Sequence, residues 1–248
     1  MTALLRAEGR KILATRSTLV VAAFVVIYPA LAILPSVFAP TPPEVDGDTI
    51  LQLLRGGAGV LTLAALLLGI LAVTSEYRHG TVVPSLLVAP RRGRFLASKL
   101  GSQMGMAAVL GLAVSAVGLA IGTTYLATRD VAVDILSGDV VVTAAAVVLV
   151  VTLYAAAGVG VGALVKNQTA AVTGALVWVF VVENAIPILL RNPGLKRWLP
   201  EGMSDRLLHL ADPAAGAANA WLALVLFAGL AVVLAGAAVV ATKASDVH

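Results

Sequence analysis

The sequence has no cysteine, which excludes a disulfide framework and a thiolate metal site. Charge is scarce as well. Asp, Glu, Lys and Arg make up 12% of the residues, against roughly 25% in ordinary soluble domains. The three histidines, His79, His209 and His248, are scattered, so no metal centre is expected of them. No G-x-x-x-x-G-K-[ST] segment occurs, nor HExxH, nor GxSxG. The chain therefore has no P-loop of its own and little to support a self-contained membrane enzyme. The glycine-rich run Gly158-Val159-Gly160-Val161-Gly162 is not a dinucleotide fingerprint, because it lies inside an apolar stretch with no strand before it.

Apolar sequence is what the chain has in abundance. It is 60% hydrophobic over 248 residues, with a mean hydropathy of +0.99, the composition of a polytopic membrane protein. The sequence pI is about 9.7. Its basic residues sit beside apolar runs, where anionic lipid headgroups are the natural counter-charge, and no nucleic-acid partner is expected.

Residues 2–16 read as a basic amphipathic helix in the membrane interface. Leu4, Leu5, Ile12 and Leu13 share one half of a helical wheel, and Arg6, Arg10 and Lys11 the other. The following apolar run is too long for a signal-peptide core, and Pro40 directly follows the small residue Ala39, so the segment is expected to remain as a span. Spans are expected over about 17–38, 53–75, 100–126, 140–165, 169–190 and 219–242. The second helix is expected to begin earlier, after Asp48, with Arg55 snorkelling outward. Residues 191–212 mix charge with Trp198, Leu199, Leu207 and Leu208 and contain Pro193 and Pro200. They cannot span, and read as one or two short interfacial helices. The expected fold is thus one all-α integral membrane domain over 1–248. It has six transmembrane helices, an N-terminal interfacial helix, and short outer helices between spans five and six.

Six spans put both termini on one side. That side then carries Arg6, Arg10, Lys11, Arg16, Arg78, Arg91, Arg92, Arg94, Lys99, Lys166 and Lys243, while Arg55, Arg129, Arg191, Lys196, Arg197 and Arg206 face the other. The positive-inside rule assigns both termini to the cytoplasm.

The second charge-free run is 56–75, with Arg55 just ahead of it, and within the apolar runs Glu183 stands as the sole ionisable residue, beside Asn184 and four residues before Pro187. Proline lacks the N–H that would bond the carbonyl of residue 183, so a carboxylate, an amide and a free carbonyl are expected in one turn. Two readings stay open. The turn is either a polar gate or substrate contact facing the bundle interior, or a structural acid bonded to a neighbouring helix or to a base such as Arg191. Gly101/Gly105, Gly118/Gly122 and Gly158/Gly162 have small-xxx-small spacing, expected to serve close packing within the chain.

The polar stretch from Glu76 to Lys99 holds Arg78, Arg91, Arg92 and Arg94. Inside it Val83, Leu86, Leu87 and Pro90 follow i, i+3, i+4, i+7 spacing, a short apolar stripe on a helix. Such a helix is too short to span. It is read either as a docking element for another protein or as an interfacial helix.

The sequence Glu76-Tyr77-Arg78-His79-Gly80-Thr81, followed by Leu86-Leu87, Pro90, Arg94 and Lys99, resembles the cytoplasmic loop of type-2 ABC exporter permeases. The six-span layout and the Glu183-Asn184 pair late in the fifth span are similar to that family too. The resemblance implies a plasma-membrane permease that pairs with a second copy or a paralogue and with cytosolic ABC ATPase subunits. ATP and Mg would sit on those subunits, with no cofactor on this chain. It implies an ATPase-coupling region at Glu76, Arg78, Gly80, Thr81, Leu86 and Leu87, and a path for a hydrophobic or amphipathic substrate leaving the cell. A non-transporting membrane scaffold or immunity-type protein is the alternative expectation.

Overall fold

The structure, a computed structural model, describes residues 16–38, 48–78, 92–131, 134–211 and 217–244. All regular structure among them is helical. In chain order the long helices are α1 (Arg16–Phe38), α2 (Asp48–Arg78), α3 (Arg92–Ala127), α4 (Gly138–Val165) and α5 (Gln168–Leu189). A 3-10 turn, Pro193–Trp198, leads into the short helix α6 (Pro200–Leu208), and α7 (Ala217–Ala244) closes the chain.

Five of these, α2, α3, α4, α5 and α7, are long and apolar enough to cross a membrane. A multi-pass, membrane-embedded helical protein follows from that, since helices satisfy every backbone polar group within the bilayer. The expected first span coincides with α1, which runs through Pro29 and Pro35. The expected interfacial helix at 2–16 falls, but for Arg16, outside the described residues.

Two boundaries differ from expectation. Helix α2 does begin at Asp48, as read from the sequence. Helix α3, however, starts at Arg92, ahead of the expected 100. Hydropathy stops at the charges, but Arg92, Arg94 and Lys99 are good helix formers and the backbone continues through them. Glu76 and Arg78 likewise belong to the last turns of α2. Residues 76–78 and 92–99 of the expected loop are therefore helical, and 79–91 lie outside the described residues.

Helix α4 is the axis of the bundle. From Tyr154 to Gly160 every residue is buried. It packs parallel to α2 because glycines let the two backbones meet. A Cβ on Gly69 of α2 would lie 2.9 Å from Val159 N, and one on Gly162 of α4 would lie 3.1 Å from Ile70 Cα. A Cβ on Gly158 would likewise lie 3.1 Å from Leu66 Cα. The Gly158/Gly162 pair thus serves the intramolecular packing expected of it. Its partner Gly69, in the sequence Ala65-x-x-x-Gly69, is a third member the sequence reading left out. Gly105 has open space around it and Gly118 meets only the tip of Leu54, so neither brings two backbones together.

Helix α7 packs on the opposite flank of α4. The Tyr154 and Phe227 rings meet edge to face, with centroids 5.0 Å apart. The turn between α4 and α5 is tight. Lys166 takes a left-handed φ of 57° and Asn167 caps α5 by accepting from Ala170 N at 3.0 Å.

Candidate functional site

Polar side chains gather at the two ends of this apolar bundle. At one end, α2 finishes and α3 begins. Lys99 Nζ donates to Glu76 Oε1 at 2.6 Å, and both side chains are almost fully buried. Val73, Leu96, Val159 and Ala163 form a small apolar cluster at this level, with Tyr77 and Leu100 at its margin. One further link holds the same end together: Arg78 Nη1 donates to Gln168 Oε1 at 3.2 Å, joining the last turn of α2 to the first of α5.

The sequence-derived coupling residues separate here. Glu76 is buried against Lys99 of α3. Arg78 is exposed. Gly80, Thr81, Leu86 and Leu87 lie outside the described residues. Glu76 and Lys99 are interior as Glu183 is, although both lie just outside the expected spans 53–75 and 100–126.

The other end holds Glu183. Helix α5 is interrupted by a π turn, Trp178–Val182, in which Glu183 N–H bonds Trp178 O. In an unbroken α-helix each four-residue step drifts by about 40°. Glu183 would then stand roughly 120° round from Ala171. The extra residue in the π turn takes back about 100° of that. Ala171, Ala175, Glu183 and Pro187 are consequently all buried.

Glu183 is 1% exposed and both carboxyl oxygens are engaged. Oε1 accepts from Trp178 Nε1 at 2.7 Å, and Oε2 accepts from Glu201 N at 2.9 Å. Glu201 lies in the first turn of α6, where N–H groups lack intrahelical partners. The residue at the N-cap is Leu199, which offers no side-chain acceptor, so Glu183 supplies it from another helix. At the opposite end of α6, Arg55 Nε donates to the Leu208 carbonyl at 3.2 Å. An anionic group at the N-terminus and a cation at the C-terminus both complement the helix dipole. Helix α6 is thereby strapped across the bundle by one residue from α5 and one from α2.

Glu183 is tied to a neighbouring helix, as one of its two readings supposes, and it also lines the apolar groove between α5 and α7. The partner is a main-chain N–H and not Arg191, which makes no ion pair with it. Asn184 points elsewhere. It is exposed, its amide donates to Phe180 O at 3.3 Å, and its oxygen accepts from Lys196 Nζ at 3.4 Å. Glu183 and Pro187 share a buried face, while Asn184 does not join them. Arg55, expected to snorkel outward, is half-buried and turned to the C-terminus of α6.

Two hollows flank the strap. A polar cleft of 810 Å³ is lined by Arg55, Tyr154, Asn184, Lys196, Arg197, Glu201, Asp205, Arg206 and His209, among others. An apolar groove of 320 Å³ lies between α5 and α7, lined by Leu66, Ala157, Gly174, Trp178, Glu183, Phe227, Leu230 and Leu234 with their neighbours. Tyr154 and Val179 line both. No group of three His, Asp or Glu side chains able to hold a metal occurs among the described residues. Neither Trp178 nor Arg55 stood out as a site residue in the sequence. Trp178 stands five residues before Glu183, a spacing that pairs only across a π turn. The partner of Arg55 is a carbonyl 153 residues away.

Compared with known proteins, no family model matches the chain, and no curated protein matches it either.

Proposed function

We propose that this chain is the membrane-spanning permease subunit of an ATP-driven ABC exporter, with six spans in the plasma membrane and both termini cytoplasmic. It works with a second permease copy or a paralogue and with cytosolic ATPase subunits that carry ATP and Mg. Its cargo is hydrophobic or amphipathic. The reading rests on the loop that resembles those of type-2 exporter permeases and on the anchorage of that loop. The single observation that carries it is the buried Glu76–Lys99 pair at 2.6 Å.

A loop that passes force needs roots that do not slide. The pair joins the end of α2 to the start of α3, so a displacement of residues 79–91 reaches both helices at once. Rigid elements of this kind transmit a shift as a unit instead of absorbing it. The apolar stripe Val83, Leu86, Leu87 and Pro90 is the surface that seats in a groove of the ATPase. The unbroken packing of α2 on α4 carries the motion on through the bundle.

The test has two parts. The chain, purified from membranes, brings down a soluble P-loop ATPase. Leu86→Asp or Leu87→Asp then leaves insertion intact while ATP hydrolysis and export come apart. Export and ATPase recruitment equal to the parent in both variants would overturn the coupling role. Absence of any nucleotide hydrolase from the purified assembly would favour a non-transporting scaffold.

A further inference from the structure

The polar cleft beside the strap is lined by four cationic side chains, Arg55, Lys196, Arg197 and Arg206. Two acids line the polar cleft, and both are already engaged: Glu201 with Lys196 at 3.4 Å, and Asp205 with His209 at 3.3 Å. Among the described residues, the three arginines of the cleft, Arg55, Arg197 and Arg206, make no ion pair. Arg197 and Arg206 both lie against the Trp198 ring, 5.4 and 5.3 Å from its centroid, which orders the guanidinium groups but does not satisfy their donors. Arg206 Nη1 is buried without a hydrogen-bond acceptor. A buried cationic donor with no acceptor is costly, and a planar guanidinium matches the oxygens of a phosphate or carboxylate.

The groove beside the cleft has the opposite character. Apart from Glu183, whose oxygens are both occupied, its walls are apolar: Leu66, Val161, Phe227, Leu230 and Leu234. Gly174 leaves it open, with no atom within 4 Å of where a Cβ would stand. Tyr154 and Val179 belong to both hollows, so a molecule with a charged end and an apolar end can occupy the two together.

We propose that the cleft and the groove form one site for an anionic single-chain amphiphile, its phosphate or carboxylate head at Arg55, Arg197 and Arg206 and its chain along the groove between α5 and α7. Charge complementarity selects the head, and the open, apolar groove selects the tail. This rests on the permease reading only in naming the ligand a substrate. Binding to the subunit stands on the cleft and groove alone.

The full chain in nanodiscs of zwitterionic lipid is titrated with 1-oleoyl-lysophosphatidate, with mono-oleoylglycerol and with inorganic phosphate. Lysophosphatidate should bind saturably and at least roughly tenfold more tightly than the uncharged mono-oleoylglycerol, a ratio worth about 1.4 kcal/mol. Inorganic phosphate should compete only weakly. The double variant Arg197→Gln/Arg206→Gln should remove the preference for the charged head and leave mono-oleoylglycerol unchanged. Gly174→Leu, which fills the groove from an open position, should weaken both oleoyl ligands by about tenfold and leave phosphate unaffected. Equal affinity for charged and neutral oleoyl ligands overturns the proposal. Full displacement by inorganic phosphate, or unaltered lysophosphatidate binding to a folded Gly174→Leu chain, does so too. Because no ATPase enters this assay, a failure here leaves ATPase recruitment untouched, and a missing ATPase leaves this binding untouched.

Discussion

Glu76 and Glu183 are both interior carboxyl groups near opposite ends of the helical bundle, and they are held by different kinds of partner. Glu76 faces another side chain, Lys99, whose charge is opposite to its own. Glu183 faces an indole N–H and a main-chain N–H at the start of a helix. In the first case either partner can be lost by substitution, leaving the other interior charge without this counter-charge. In the second, the main-chain donor survives any substitution of Glu201 except proline. The two ends therefore differ in what a point change does. A single replacement at the Glu76 end leaves a charge behind, whereas one at the Glu183 end loosens a short helix and exposes its first turn.

The largest effect should come from splitting the charged pair. Lys99→Met alone should destabilise by about 3–5 kcal/mol, the range for breaking a buried ion pair on one side. Glu76→Leu/Lys99→Met together should recover most of that, read as the unfolding midpoint in a denaturant titration of the purified chain. A double variant no better than the single would show that the pair does more than cancel charge. Next is the backbone contact that both ends share. Gly158→Val drives a side chain into Leu66 of α2, and overpacking of this kind costs about 1–3 kcal/mol or more. The same titration reads it, and the parent midpoint would argue against so close an approach of α2 and α4.

At the strap, Glu183→Gln puts an amide where two donors meet one acidic group. One donor then faces a donor, at a cost of about 1–3 kcal/mol. The loss should appear as faster hydrogen exchange in residues 200–208 before global unfolding. Export lost with that exchange unchanged would return Glu183 to the role of gate. The smallest effect is at the other end of the same helix. Arg55→Gln keeps a donor but removes the charge at the α6 C-terminus, worth about 0.3–1 kcal/mol at a half-exposed position. Exchange should quicken only around Leu207 and Leu208.

Much of the fold was legible because hydropathy is a strong signal in a lipid-embedded chain. The long runs gave five membrane-length helices, and Pro193 and Pro200 marked the starts of the 3-10 turn and α6, where a missing N–H costs nothing. What hydropathy could not supply was a helix that continues through charge. Helix α3 reaches back to Arg92, and so Lys99 became an interior residue instead of the edge of a loop. The Glu183-Asn184-Pro187 turn was legible as composition but not as geometry. Side chains one residue apart on a helix face different ways, and the π turn decides which of them goes inside. The strap was not legible at all, because both of its anchors end on main-chain atoms of a distant segment, and a backbone N–H or carbonyl has no letter in the sequence.

The π turn of α5 has one more consequence. It amounts to a single surplus residue between Val177 and Glu183, and it works as a phase shifter between the two halves of that helix. Losing one of the residues 179–182 by an in-frame codon deletion would remove that surplus and leave an unbroken α-helix. The acid would then follow Ala171 by eleven residues, about 20° round, on the face it already holds. A codon inserted there would instead swing everything downstream by about 100°, turning the acid toward the hydrocarbon and leaving the first turn of α6 bare. At this point the helix carries slack that it can give up but not add to.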